Sequence, residues 1–348
     1  MRRVSLLSVR GPGAGGDCAG WGKALDQVEI ERLLGGAPRL LLDDIVEHPR
    51  LSEARKVYLA YFLNLYGGDP FVVRLLIEAG RFLVYHVAIV LEAAQDPARR
   101  ETWLTIGLLK RALAAYGVAS SRHIDEIIGR LCAVGFMEQR PSDQDRRVRL
   151  LLLTEKMRAH DRDWLVAHFA PLAVCYPAHG YEPVMQRDAE FQAVYRRVCT
   201  PFLPLGIKLL LSLPDTMLFF NHAAGSPIIS ALLQAATASP DYPHAAVPYA
   251  EVGERFGVSR THVRKLLVAA EQAGLVKLHA RGGQRVEILP RLWSSYDRGL
   301  ATGMYVHDMT YLATMKHLAT MKHRVSHNNV PSTRDACASF LERSKPGL

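Results

Sequence analysis

One pattern occurs twice in this chain, and it limits the possible folds more than any other feature. AYGVASSRHIDEIIGRLCAVGFMEQR runs from Ala115 to Arg140, and RFGVSRTHVRKLLVAAEQAGLVKLHAR runs from Arg255 to Arg281. From Ser120 to Glu138 and from Ser259 to Lys277 the copies align without a gap. Ile124 meets Val263, Ile127 and Ile128 meet Leu266 and Leu267, and Gly135 meets Gly274. After each copy the match resumes, LTEKMRAHDRDW (Leu153 to Trp164) against LPRLWSSYDRGL (Leu289 to Leu300). In each, a glycine ends one helix, a serine caps the next, and apolar residues recur at three- and four-residue spacing up to a second glycine. The expected fold is mainly α with small β-hairpin wings. It has two helical lobes, each carrying a winged helix-turn-helix, in a pseudo-twofold single-chain arrangement.

The 348 residues fit two or three domains, and 49% hydrophobic residues are enough to bury a sizeable core. Residues 1–38 are glycine-rich and read as a flexible arm. Its GPGAGG segment (Gly11 to Gly16) matches a dinucleotide-binding glycine pattern but lacks the βαβ context that such a site needs. Residues 39–175 read as a helical lobe ending in the first winged helix, with helices over Leu51 to Tyr66 and Pro70 to Ala94. A loop from about Ala170 to Pro183 separates this lobe from a second, residues 184–311, whose helical stretch runs from Asp188 to Ala236. Residues 312–348 read as a basic tail, which opens with LATMKH twice in succession (Leu312 to His323). His307, His317, His323 and His327 lack a metal-ligand constellation, and no metal site is expected.

In the first unit, Ile124, Ile127, Ile128 and Leu131 share one face of a helix, and Ser120 or Ser121 caps it. The opposite face presents Arg122 and Glu126, flanked by His123, Asp125 and Arg130. One face anchors and the other is free to reach base edges in a major groove. Phe136 to Arg140 and Val148 to Thr154 read as the two wing strands, joined by PSDQDRR (Pro141 to Arg147). With Gly135, Asp145, Arg147, Leu153 and Thr154, the stretch from about Trp103 to Phe169 resembles the MarR family of bacterial regulators. The resemblance implies that Arg147, with Arg146 beside it, enters the minor groove and that Asp145 helps to orient Arg147. A guanidinium suits the negative potential of a narrow minor groove.

The second unit is similar to the general GntR/Crp-type winged helix. Val263, Leu266, Leu267 and Ala270 face inward. Thr261 and Lys265 stand outward, flanked by Arg260, His262 and Arg264. Its wing is shorter and lacks Asp-x-Arg, and Arg281 and Arg285 flank a Gly282-Gly283 turn signal. The two reading faces differ in charge. Arg260, Arg264 and Lys265 outweigh Glu271 in the second, whereas Arg122 and Arg130 are balanced by Asp125 and Glu126 in the first.

The net charge of +9 favours an anionic partner, nucleic acid before membrane. The five cysteines form no Cys-x-x-Cys pair, which suits a reducing cytoplasm. No Walker loop, zinc-protease helix or nucleophile elbow occurs, so neither enzyme activity nor a cofactor is expected. The resulting expectation is a sequence-specific double-stranded-DNA-binding regulator of repressor type, nucleoid-associated in a bacterial cytoplasm and away from membranes. It would act as a monomeric pseudo-dimer or a weak homodimer. Its two helices would address successive major grooves about 34 Å apart on an asymmetric operator. A plasmid-type replication initiator with tandem winged helices and a protein-interaction scaffold are the alternatives. Aromatic residues from Tyr58 to Tyr66 and Phe82 to Tyr85 either line a small-molecule effector pocket or pack between lobes.

Overall fold

Helical periodicity dominates the sequence, and the fold is mainly helical with two small antiparallel sheets. The computed structural model describes residues 27–67, 70–114, 116–117 and 119–328. The first half runs through α1 (Gln27–Leu34), α2 (Leu42–Val46), α3 (Leu51–Gly67), α4 (Pro70–Leu76), α5 (Ala79–Ala94), α6 (Ile106–Ala114) and α7 (Ser121–Ala133). The hairpin β1 (Met137–Pro141) and β2 (Arg149–Leu153) then leads into α8 (Glu155–Cys175). The second half contains α9 (Glu182–Met185), α10 (Ala189–Val198), α11 (Leu203–Leu211), α12 (Pro214–Phe220) and α13 (Gly225–Ala238). After β3 (His244–Ala245) come α14 (Tyr249–Phe256), α15 (Arg260–Gln272), β4 (Val276–Leu278), β5 (Val286–Ile288) and α16 (Pro290–Asn328).

The two halves share a core. Helix α3 packs against α8 of its own half and α13 of the other, while α10 packs against α16 of its own half and α5 of the other. One hydrophobic cluster therefore runs from Leu40 to Tyr311, and the chain is not divided between residues 175 and 184. Ion pairs follow the same seams. Arg196 of α10 binds Asp161 of α8 with Nε 3.0 Å from Oδ2, both side chains almost fully buried, and Arg55 of α3 binds Asp297 of α16 at 2.6 Å. Burial opposes the Arg196 charge, but Asp161 more than offsets this and raises the pKa.

Three expectations need correction. The loop placed from Ala170 to Pro183 is instead the last turns of α8, a 3-10 turn over Pro177–His179 and the start of α9. Pro171 lies inside α8 despite its missing N–H, because Phe169, Ala170, Leu172 and Cys175 around it are buried. The arm assigned to residues 1–38 contains α1, whose Ile30 and Leu34 lie one turn apart and dock on Phe202, Leu205, Met309 and Ala313. Gly11 to Gly16 lie outside the described residues. The tail assigned to 312–348 begins as the last turns of α16, which carries both LATMKH copies and measures about 58 Å at 1.5 Å per residue. His307 packs against Trp164, His168 and Phe169, and its Nδ1 lies 2.7 Å from the Tyr195 hydroxyl. Residues 329–348 lie outside the described residues. No single described helix is long and apolar enough to cross a membrane; the apolar pair α11–α12 is bent by 95°.

Candidate nucleic-acid interface

In the first unit Gly117 takes φ +62° in the turn before α7, a conformation that costs glycine nothing. Ser120 then caps α7, its Oγ accepting the His123 N–H at 3.2 Å. Ile124, Ile127, Ile128 and Leu131 are buried against neighbouring helices, so Ser121, Arg122, Glu126 and Arg130 are left exposed. Much of this outer face pairs with itself. Arg122 lies 3.3 Å from Glu126, His123 lies 3.6 Å from Glu126, and Lys110 of α6 lies 2.6 Å from Asp125.

The strands β1 and β2, expected to form a wing, pair from Met137 opposite Leu153 to Pro141 opposite Arg149. Thr154 fastens the wing to both helices. Its hydroxyl donates to the Gly135 carbonyl at 2.7 Å and accepts the Met157 N–H that caps α8. Asp145 has a different role from the one the resemblance implied. One carboxylate oxygen accepts the backbone N–H of Arg147 at 3.0 Å and the other binds the Arg100 guanidinium at 2.7 Å. It therefore shapes the tip backbone rather than aiming the Arg147 side chain. Arg146 and Arg147 are exposed at that tip and make no ion pair among the described residues.

The second unit repeats this architecture with different chemistry. Gly257 takes φ +67° after α14, and the Ser259 Oγ accepts the His262 N–H at 3.1 Å. Val263, Leu266, Leu267 and Ala270 are buried. Arg260, Thr261, Arg264 and Lys265 are exposed, and none of these three cations makes an ion pair among the described residues. His262 departs from expectation. Its Nε2–H donates to the Ala223 carbonyl at 2.8 Å, which ties α15 to the turn between α12 and α13 instead of facing outward.

The β4–β5 hairpin is also more closed than a two-residue Gly-Gly hairpin would be. A 3-10 turn over Arg281–Gly283 joins β4 to β5, and Gly283 is buried at φ +82°. A Cβ there would lie 2.1 Å from the Val247 carbonyl oxygen and 2.6 Å from the Tyr249 ring. Arg281 remains exposed, whereas Arg285 pairs with Asp241 at 3.1 Å. The sequence reading missed β3, which adds a third strand through His244 opposite Glu287 and Ala245 opposite Val286. The first unit holds an analogue, the Leu151 N–H donating to the Leu104 carbonyl at 2.9 Å. A two-residue strand is too short to show a period of two, so only Asp241-Tyr242-Pro243 marked its position. Arg100 and Asp241, the partners of Asp145 and Arg285, lie outside the repeated pattern and carried no signal.

A cavity of about 270 Å³ lies between the halves. Tyr58, Phe62 and Phe82 line it, as the aromatic spacing suggested, together with His86, Trp164 and His168. Tyr85 is instead buried against α8, its hydroxyl donating to the Met157 carbonyl at 3.2 Å. His86 Nδ1 and Trp164 Nε1 are buried without a hydrogen-bond partner among the described residues. Burial pushes the His86 and His307 pKa values well below the ordinary imidazole value, and that of His168 down to about 4. Cys132 is half-buried on α7, and burial raises its thiol pKa, the opposite of what a reactive thiolate needs. No protein-family model, no curated protein and no solved structure matches the chain.

Proposed function

We propose that this chain is a sequence-specific double-stranded-DNA-binding transcriptional regulator of repressor type, carrying two winged helices on one polypeptide. The observation that carries this reading is the outer face of α15. Arg260, Arg264 and Lys265 project there without ion pairs among the described residues, beside Thr261. A protein that leaves three cations uncompensated on one helix face, over a buried anchor, has the charge and shape to meet a phosphate-lined major groove. Arg146 and Arg147 at the first wing tip and Arg281 at the second add cations beside the helices. Helix α7, where Glu126 engages Arg122 and Asp125 engages Lys110 of α6, keeps Arg130 unpaired among the described residues and contributes less to affinity than α15. The two units therefore read unequal half-sites, and the operator is asymmetric.

The reciprocal packing of α3 on α13 and of α10 on α5 supports a pseudo-twofold arrangement within one molecule. The cavity between the halves supports a small, mostly apolar effector as a further partner. Its wall includes Phe219 and Phe220 of α12, four and three residues before the Ala223 carbonyl that holds His262 of α15.

Selection of bound duplexes from random DNA, followed by mobility shifts of the selected sequence at several salt concentrations, tests the reading. Affinity should fall steeply with salt, and Arg264→Ala with Lys265→Ala should abolish the preference for the selected sequence. Salt-independent binding, no binding at low salt, or a perfect palindrome occupied by two copies of the chain would overturn it.

A further inference from the structure

The second wing brings together three side chains that the sequence keeps far apart. His244 lies on β3, His279 directly follows β4, and Glu287 lies on β5. His244 and Glu287 are direct cross-strand partners, and the His279 N–H bonds the Arg285 carbonyl at 3.0 Å, so the sheet ladder fixes all three backbones. One donor atom from each lies within 4.8 Å of the others. His279 Nε2 is 2.5 Å and His244 Nε2 is 3.9 Å from the same carboxylate oxygen of Glu287. The imidazole rings are 5.4 Å apart, centroid to centroid.

We propose that His244, His279 and Glu287 form a binding site for a divalent transition-metal ion of the zinc type, which clips the three strands of this sheet together. Two imidazole nitrogens and one carboxylate oxygen are a ligand set that Zn²⁺ accepts, with water completing a tetrahedron. Bonds of about 2.0–2.1 Å at tetrahedral angles put neighbouring donors about 3.4 Å apart. The two separations from Glu287 fall on either side of that value, so side-chain rotations suffice to admit the ion without moving the strands. The neighbouring shell is also in place. His244 Nδ1–H donates to the Asp241 carbonyl at 3.1 Å, which leaves Nε2 as the free lone pair facing the site. Asp241 is itself held by Arg285. Lys277, opposite Glu287 on β4, is exposed and free to turn its ammonium to solvent.

This assignment is independent of the DNA-binding reading. Strands of two and three residues carry few ladder hydrogen bonds, and a shared ion would stiffen them from the solvent side.

The test is a titration of the untagged full-length chain with ZnCl2 against a chromogenic chelator, without DNA. One equivalent should bind, and His244→Ala and His279→Ala should each weaken it by at least about 10-fold. Glu287→Gln, which keeps the side chain's size, should weaken it too, while His48→Ala should not. Substitution with Co²⁺ should give the visible bands of a four-coordinate nitrogen–oxygen site without thiolate charge transfer, and hydrogen exchange of the β4 and β5 amides should slow when zinc is added. All three side chains are partly exposed, and unchanged far-ultraviolet circular dichroism would show that each variant folds. No stoichiometric site, equal affinity in wild type and the His244→Ala/His279→Ala double variant, or a thiolate band from the cysteines would overturn the assignment. Failure here would leave the DNA-binding proposal standing.

Discussion

Acidification should loosen the contact between the two halves, and His168 gives the size of the effect. Its ring stacks on Trp164 at 3.8 Å between centroids, Nδ1–H donates to the Trp164 carbonyl at 2.9 Å, and Nε2 lies 3.4 Å from the Tyr58 hydroxyl. Burial lowers its pKa to about 4; the hydrogen bond to the Trp164 carbonyl opposes this shift, and the Arg196 charge adds to it. Between the ordinary value of 6.5 and that value, the unfolded chain takes up a proton and the folded chain does not. The stability from keeping His168 neutral is thus present above pH 6.5 and is lost as pH falls through 4. At about 1.4 kcal/mol per pKa unit the full loss is about 3 kcal/mol, of which roughly 1 kcal/mol appears between pH 7.5 and 5.5. His86 and His307 are depressed for the same reason and add slopes of the same sign.

His168→Phe keeps a ring on Trp164 and removes the titration. Urea unfolding followed by tryptophan fluorescence at pH 7.5, 6.5 and 5.5 should show the wild type losing stability faster than the variant, by the proton that His168 no longer takes up on unfolding. If the two proteins lose stability in parallel, His168 is not held neutral by the fold and the argument fails.

Other substitutions probe separate parts of the molecule. Gly283→Ala forces a Cβ against the Val247 carbonyl at φ +82° and should cost about 2–4 kcal/mol in thermal or chemical unfolding, whereas Gly282→Ala, with open space around it, should cost about 1–2 kcal/mol. Asp161→Ala leaves the buried Arg196 guanidinium unpaired and should destabilise by about 3–5 kcal/mol; replacing both residues by apolar ones should recover much of that in the same urea assay. On DNA, Lys265→Ala should weaken binding and reduce the salt slope by about one, whereas Arg122→Ala, which breaks an existing pair with Glu126, should change both less in parallel mobility shifts.

Local patterns account for what was legible in the sequence. Ser259 announced its cap and the pair Ser120–Ser121 held the other, Ile124 to Leu131 and Val263 to Ala270 announced their buried faces, and the first hairpin is offset by only one residue at each of its boundaries. Each of these depends on residues a few positions apart, whose geometry the backbone period sets. Interactions between elements were not legible. Asp145 could be assigned a wing role, but its partner Arg100 comes from a turn outside the repeated pattern. His262 looked outward on a helical wheel, yet the turn between α12 and α13 comes close enough to take it.

The two capped helices α7 and α15 and their buried faces were therefore determined by the sequence alone, because periodicity and capping are local. Tertiary structure decided what their exposed residues have left to offer. Arg122 of α7 is spent on Glu126, the cations of α15 make no ion pair among the described residues, and a pair of histidines and a glutamate meet on a sheet whose shortest strand is too short to show a period of two. It also decided that the halves share one core, since α3 and α10 each pack across the boundary and no residue in either helix encodes its distant partner by itself.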